Sequence, residues 1–237
     1  MNKSLKVIFS VDVEPDCMSF FKESYRGIEE GMEPLLDLLH EEGVKATFFT
    51  TGNVAEKFPD MTRKVVTLGH ELGCHGLTHT PFTEMDRETA KEEIRTAAKI
   101  LRKFAPVTSF RAPYLKFPDN YLDLLEDEGF LLDSSQAKYK LAYYRKTSPT
   151  KLKRAPVSVT SSFLRLPLWF RTPIFNILTS PVVLYAHPWE FVDMRNEKMR
   201  LDCRLKTGQT ALNCLRSALR FFKQRNASFC KISELYH

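Results

Sequence analysis

Two histidines stand four residues apart in His75-Gly-Leu-Thr-His79, and two acids alternate in Asp12-Val-Glu14. Four residues is about one helical turn, so two imidazoles at that spacing can face a single point. The glycine between them also permits a tight loop. Two neutral imidazoles and one carboxylate make a three-ligand site for Zn2+ or a similar ion, with one position left open for water. On an extended segment, residues two apart point to the same side, so one of the two acids can bind metal while the other serves as a base. Arg111, Asp133 and His187 complete a set of polar residues that each follow an apolar, strand-like run. Singly, each has a structural reading: a carboxylate there is commonly a cap or turn residue, an arginine a surface charge or ion-pair partner. Their convergence carries the weight.

The elements that must position them alternate between strand and helix. Leu5 to Val11 reads as a buried strand ending at Asp12, and residues 28–42 as a helix stopped by Gly43. Val44 to Thr50 is a second strand. Asn53 is placed to cap a helix running to Leu68, with a break possible at Pro59. His70 to His75 is the third strand, Asp86 caps the next helix, and Val107 to Arg111 is the fourth strand. Pro118 to Glu128 reads as a helix closed by Gly129, and Phe130 to Asp133 as the fifth strand. Residues 136–160, basic and rich in tyrosine, read as a surface excursion. Phe163 to Leu166 is assigned as a strand and Pro167 to Leu178 as a short helix. Pro181 to Ala186 is a buried strand, residues 209–225 an amphipathic helix, and Ser228 to Ile232 a last strand. This alternation predicts an α/β fold with a parallel sheet closed or nearly closed into a single-domain (β/α) barrel. Its active site belongs at the carboxyl ends of the strands, where all of these polar side chains would line one mouth.

Composition sets the outer bounds. At 237 residues, 43% apolar and 27% charged, the chain is neither disordered nor a disulfide-dense miniature, and it can bury a sizeable core. The net charge of +6 is a spread basic excess, suited to a solvated surface or to an anionic partner such as a phosphate-bearing glycan or lipid. No zinc-finger or aromatic-interleaved basic motif points to nucleic acid. Cys17, Cys74, Cys203, Cys214 and Cys230 form no CxxC pair, so reduced thiols and a cytoplasmic location are expected. The apolar run from Val7 to Val11 is too short for a signal-peptide core, and no window is long enough for a spanning helix.

Five segments together resemble the polysaccharide deacetylases (the NodB-homology domain, carbohydrate esterase family 4). Phe9-Ser-Val-Asp12-Val-Glu14 is similar to their first motif, in the branch with alternating acids. His75-Gly-Leu-Thr-His79 is similar to the second, and Phe110-Arg111-Ala-Pro113-Tyr114 to the third. Leu132-Asp133-Ser-Ser resembles what this branch carries after the next strand, and Val183-Leu-Tyr185-Ala-His187-Pro188-Trp189-Glu190 the last motif. The resemblance implies a distorted (β/α)7-type barrel over nearly the whole chain. It implies Asp12 as general base, with Glu14, His75 and His79 as ligands of a divalent metal, Zn2+ first among candidates. Arg111 would hold Asp12, the Tyr114 backbone N–H would help bind the oxyanion, and His187 would be the general acid, oriented by Asp133. Two positions depart from the family pattern. Glu14 stands where most relatives have aspartate, and Tyr185 where many have the leucine that contacts the acetyl methyl.

The chemistry coheres without the resemblance. Amide hydrolysis needs an activated water, a stabilised oxyanion and a proton for the leaving amine. The expected substrate is therefore an N-acetylated sugar or glycan, soluble, nucleotide-linked or lipid-linked. The rivals are hydrolysis of another amide, such as a formamido sugar or cyclic ureide, with or without metal, and a non-catalytic glycan-binding module. Cys74 is expected to be a buried structural thiol, since neighbours along a strand face opposite ways. Residues 163–185 read as core and lid, or, with the basic run Lys138 to Arg154, as a peripheral membrane surface. Trp189 suits sugar stacking and a packed shelf at the barrel rim equally.

Overall fold

The computed structural model describes residues 5–16, 24–144 and 149–235. Cys17 and part of the basic run, residues 145–148, lie outside them. The strands are β1 (Lys6–Val13), β2 (Thr47–Thr50), β3 (Glu71–Cys74), β4 (Ser109–Phe110), β5 (Leu132–Asp133), β6 (Lys153–Arg154), β7 (Val182–Ala186) and β8 (Ser228–Phe229). The helices are α1 (Met32–Glu41), α2 (Gly52–Lys57), α3 (Pro59–Thr67), α4 (Arg87–Leu101), α5 (Leu122–Asp127), α6 (Ser161–Leu164), α7 (Leu168–Ile177), α8 (Leu201–Arg204) and α9 (Gln209–Lys223). β2 to β6 lie side by side in the order β6-β5-β4-β3-β2, and β1 lies beside β7 and β8. The sequence expectation of an α/β chain with a parallel sheet therefore holds. The chain divides into two compact units, residues 1–46 with 159–230, and residues 47–158 with 231–237.

In the first unit β1 pairs in parallel with β7 and with β8, and Val11 lies opposite Ala186. That register brings Asp12 and His187 to the same carboxyl end. β1 is buried from Val7 to Val13, as a strand covered on both faces must be. The apolar side of α9, with Leu212, Leu215, Leu219 and Phe222, is buried. Glu42, just after α1, receives Arg216, Arg220 and Lys223 of α9 at 3.2, 2.8 and 3.0 Å. Two glycines leave room for the backbone after β7. A Cβ on Gly27 would come within 2.4 Å of the Trp189 nitrogen, and one on Gly31 within 2.3 Å of the Pro188 oxygen. Gly31→Ala should therefore cost about 1–3 kcal/mol through overpacking. Urea unfolding would measure it, and an unchanged midpoint would contradict the close approach.

In the second unit β2 to β6 run parallel in sequence order, and Cys74, Phe110, Asp133 and Arg154 form a row of paired positions across four strands. The core under this sheet is an aromatic cluster in which Phe110 meets Phe82, Phe117 and Phe130 edge-on at 5.7, 5.3 and 5.5 Å. Edge-to-face pairs suit the ring quadrupole. Buried Ala90, Ile94, Ala97 and Leu101 of α4 belong to the same core. Asp86 caps α4 by accepting from the Thr89 N–H at 2.8 Å, as its position before the helix predicts.

Some boundaries differ from the sequence reading. Thr51, not Asn53, caps α2, and the helix breaks at Phe58 before Pro59. Phe163–Leu166 is not a strand. The Thr160 hydroxyl accepts from the Phe163 N–H, nucleating the short helix α6. The surface excursion at 136–160 is only half right: β6 joins the sheet there, and Leu152, Ala155 and Val157 are buried. A two-residue strand amid lysines and prolines carries too little alternation to be read from sequence.

Candidate metal and catalytic site

Each unit carries its site residues at the carboxyl ends of its strands. In the first, Asp12 lies near the end of β1, Glu14 directly follows it, and both are buried. Asp16, the next acid in the alternation, closes the local turn instead, accepting from the Gly27 N–H at 2.9 Å and the Ser24 hydroxyl at 2.8 Å. Burial pushes its carboxyl up, against those hydrogen bonds and Arg26. The sequence reading did not single it out.

His187 follows β7. Its Nδ1 bonds to Glu190 Oε1 at 2.9 Å, and its Nε2 stands 3.8 Å from Glu14 Oε1. Nδ1 meets a carboxylate, so it carries the hydrogen and donates it. The same Glu190 oxygen accepts the His187 backbone N–H at 3.0 Å. Glu190 in turn pairs with Arg165 at 2.8 Å, both side chains buried. Arg165 is pinned by donating to the carbonyls of Cys203, Leu205 and Asp202. Burial alone pushes the His187 imidazole down, but Glu14, Glu190 and Asp12 outweigh it and raise it to about 9. Burial pushes Glu190 up, and the bonds to His187 and Arg165 more than reverse that, holding it below the ordinary carboxylate range. The chain Arg165, Glu190, His187 escaped the sequence reading, although Glu190 sits three residues from the histidine.

The indole of Trp189 is 4% exposed and stacks on His187, the planes 20° apart and the centroids 5.2 Å. The sequence reading held it equally suited to sugar stacking and to a packed shelf, and in this structure it packs beside the imidazole. Tyr185 is half-buried, its ring edge-on to His187 at 5.5 Å.

In the second unit His75 follows β3, and its Nδ1 meets the Arg111 carbonyl at 2.7 Å. A carbonyl only accepts, so Nδ1 holds the hydrogen and Nε2 presents its lone pair, the tautomer a metal ligand needs. The loop onward is wound tightly. Gly76 has φ +77° and His79 φ +67°, the latter a left-handed conformation that costs a histidine energy. Glu93 of α4 secures it, one oxygen accepting from the Leu77 and Thr78 N–H groups at 3.0 and 2.7 Å and from the Thr78 hydroxyl at 2.8 Å. The two imidazoles are 5.2 Å apart, and His79 faces Tyr114 at 4.8 Å. Glu93 too went unseen in the sequence, because helix acids are usually solvated.

Arg111 is fully buried, its guanidinium 4.2 Å over the Phe49 ring and bonded to the Ser134 hydroxyl at 2.9 Å. Asp133 pairs with Arg154 at 2.8 Å and accepts from Ser135. Burial pushes its carboxyl up, against Arg154 and Ser135. Tyr114, at φ +59°, has its carbonyl held by Lys140 at 2.8 Å. Cys74 is buried, and burial pushes its thiol up to about 12. It should resist thiol reagents in the folded protein; rapid native labelling of this residue, read by mass spectrometry, would contradict that.

Glu14 in the first unit and His75 and His79 in the second each offer one ligand atom of a type that holds a metal ion. The donor set fits the ion: two imidazoles and a carboxylate are a common zinc-type combination, and all three side chains are buried.

The family model for polysaccharide deacetylase matches residues 13–132, just over half of the chain. The chain belongs to the polysaccharide deacetylase family. Curated relatives include a peptidoglycan deacetylase-like protein of Gibberella zeae, 26% identical, covering 78% of this chain and 64% of its own. A peptidoglycan-N-acetylglucosamine deacetylase of Bacillus cereus is 30% identical over 41% of this chain and 36% of its own. A chitooligosaccharide deacetylase of Sinorhizobium fredii is 31% identical over 44% and 53%. This polysaccharide deacetylase family member thus spans between about a third and two thirds of those relatives' lengths. Among solved structures, a Mycobacterium smegmatis protein bearing the family's name matches with TM-score 0.76 at 20% identity, over all of this chain and 90% of that one. A carbohydrate esterase family 4 pseudoenzyme of Bacillus anthracis matches at 0.68 and 15%, over all of this chain and 66% of that one. The family's fold is therefore shared by a protein called a pseudoenzyme, and activity must be argued from the site residues.

Proposed function

We propose that this family member is a metal-dependent hydrolase that removes the N-acetyl group from an amino sugar or glycan. The observation that carries the reading is the pair His75 and His79, their rings 5.2 Å apart and Nδ1 of His75 bonded to the Arg111 carbonyl, with Glu14 as the carboxylate donor. Those three residues would hold the ion, Zn2+ by donor type, and the ion would supply Lewis-acid activation of water and of the acyl oxygen. Asp12 is the general base. It lies two residues before Glu14, and alternation along the extended chain puts both carboxylates on one side. By the family resemblance, Arg111 would position Asp12 and the Tyr114 N–H would donate to the developing oxyanion. His187 delivers the proton to the leaving nitrogen from Nε2, because Nδ1–H is committed to Glu190. An amine anion is not a viable leaving group, and an imidazolium stabilised by neighbouring carboxylates is charged and ready at neutral pH.

The test is acetate release from chitooligosaccharides and peptidoglycan fragments by purified protein, with metal content measured in parallel. Formate release from formamido sugars is the second reading. It is favoured by Tyr185, whose ring would reduce the room for an acyl methyl. A soluble precursor, a nucleotide-linked sugar or a lipid-linked sugar is the alternative to a finished polymer. A cytoplasmic location is part of the proposal, supported by the free state of Cys74, Cys203, Cys214 and Cys230, and cell fractionation tests it. Glu93→Ala should weaken metal binding roughly 10–100-fold by loosening the loop between the two histidines, as loss of a supporting hydrogen-bond partner does elsewhere. A competition titration with a chelator would read this, and unchanged affinity would remove Glu93 from the account.

A further inference from the structure

Helix α7 turns an apolar side to solvent. Trp169 and Ile177 are each 76% exposed, Phe170 is half exposed, and Leu168 and Ile174 are also open. From Leu166 to Ala186 the one Lys, Arg, Asp or Glu is Arg171, and it is fully buried. It donates inward to the Leu164 and Cys214 carbonyls and to the Ser217 hydroxyl at 2.8, 3.0 and 2.6 Å. The exposed side of α7 is therefore uncharged throughout. An uncharged helix side carrying Trp, Phe and Ile suits a water–lipid boundary.

A basic segment is tethered to the turn before α7. The segment around α8 exposes Leu201 and Leu205 together with Lys198 and Lys206, with Arg204 beside them. The Arg165 guanidinium ties this segment, through the carbonyls of Asp202, Cys203 and Leu205, to the turn that leads directly into α7. The nearby acids are already neutralised: Asp202 pairs with Arg200, Asp193 with Arg195 and Glu197 with Arg26. Lys198, Arg204 and Lys206 take part in no ion pair among the described residues. Their charge is available to an anionic partner.

We propose that this face docks on an anionic lipid membrane, with Trp169, Phe170 and Ile177 entering the headgroup boundary and Lys198, Arg204 and Lys206 facing the lipid phosphates. An apolar helix side edged with Lys and Arg is the interfacial pattern, and pairing two weak signals is what gives stable attachment. Area decides against a second copy of the chain. Ten helical residues offer a face about 15 Å long and about 10 Å wide, far below the roughly 800 Å² per partner of a stable dimer. Lysine is also depleted from such interfaces. Among the described residues no helix is long and apolar enough to cross a membrane, so the contact would be peripheral.

The experiment is co-sedimentation of the whole chain with phosphatidylcholine vesicles, with and without phosphatidylglycerol, at low and high salt. Binding to the anionic vesicles should be tighter by roughly tenfold or more and should weaken with salt. Trp169 emission should shift to the blue on binding and the shift should vanish in Trp169→Phe. Ile177→Asp and the pair Lys198→Glu with Lys206→Glu should each abolish binding; all three sites are exposed, so the fold is expected to survive, and circular dichroism checks it. Equal binding to both vesicle types, or no binding to either, overturns the proposal. So does a concentration-dependent dimer that Ile177→Asp dissolves. None of these residues belongs to the hydrolytic site, so deacetylation and attachment can fail separately.

Discussion

Asp12→Asn should reduce turnover about 10²–10⁴-fold, the contribution typical of a positioned general base, while leaving metal content and unfolding midpoint close to wild type. The change keeps the shape of a side chain buried in β1 and removes its charge and its ability to accept a proton. Glu14, two residues on, keeps its charge, so the ligand set is untouched. Acetate release under saturating substrate, with element analysis of the same preparation, separates a lost base from a lost metal. Turnover that survives the substitution would remove Asp12 from the mechanism. Loss of activity together with loss of metal would instead assign it to the ligand set.

The second large effect concerns the buried chain behind His187. Arg165 and Glu190 are 2.8 Å apart with almost no solvent, so removing Glu190 leaves Arg165 without a carboxylate and removing Arg165 leaves Glu190 with His187 alone. Breaking such a pair costs about 3–5 kcal/mol. Arg165→Met and Glu190→Gln should each approach that in urea unfolding. The double variant should lose less than the sum, because neither charge is then left alone. Turnover separates the two residues. Glu190→Gln loses the carboxylate that fixes Nδ1–H of His187 at 2.9 Å, so its kcat should fall with little change in KM. Additive stability losses would mean that the pair acts as two independent surface-like charges.

Much of this was legible because the chemistry follows strand ends. Pro181 to Ala186 and Leu5 to Val11 are apolar runs long enough to be read as buried strands, so the residues just beyond them, His187 and Asp12, stood out. Asp86 announced α4 by its position as a cap. What could not be read were groups whose role depends on contacts distant in sequence or hidden in helices. Glu93 looks like any helix acid until its oxygen is seen to collect three donors from the His75–His79 loop. Arg165 lies in a stretch that invited a strand assignment, and only the Thr160 cap reveals the turn that sends its side chain to Glu190. Trp189 was ambiguous in sequence because an indole serves equally well as a sugar platform or a packed shelf. Its stacking on His187 decides it.

The most direct test of the central claim is the metal content of purified protein beside His75→Ala, by plasma mass spectrometry. Bound divalent metal in stoichiometric amount in the wild type, lost in the variant together with acetate release, is the expected result. Wild-type protein that hydrolyses its amide substrate with no metal bound, and an equally active His75→Ala variant, would contradict it.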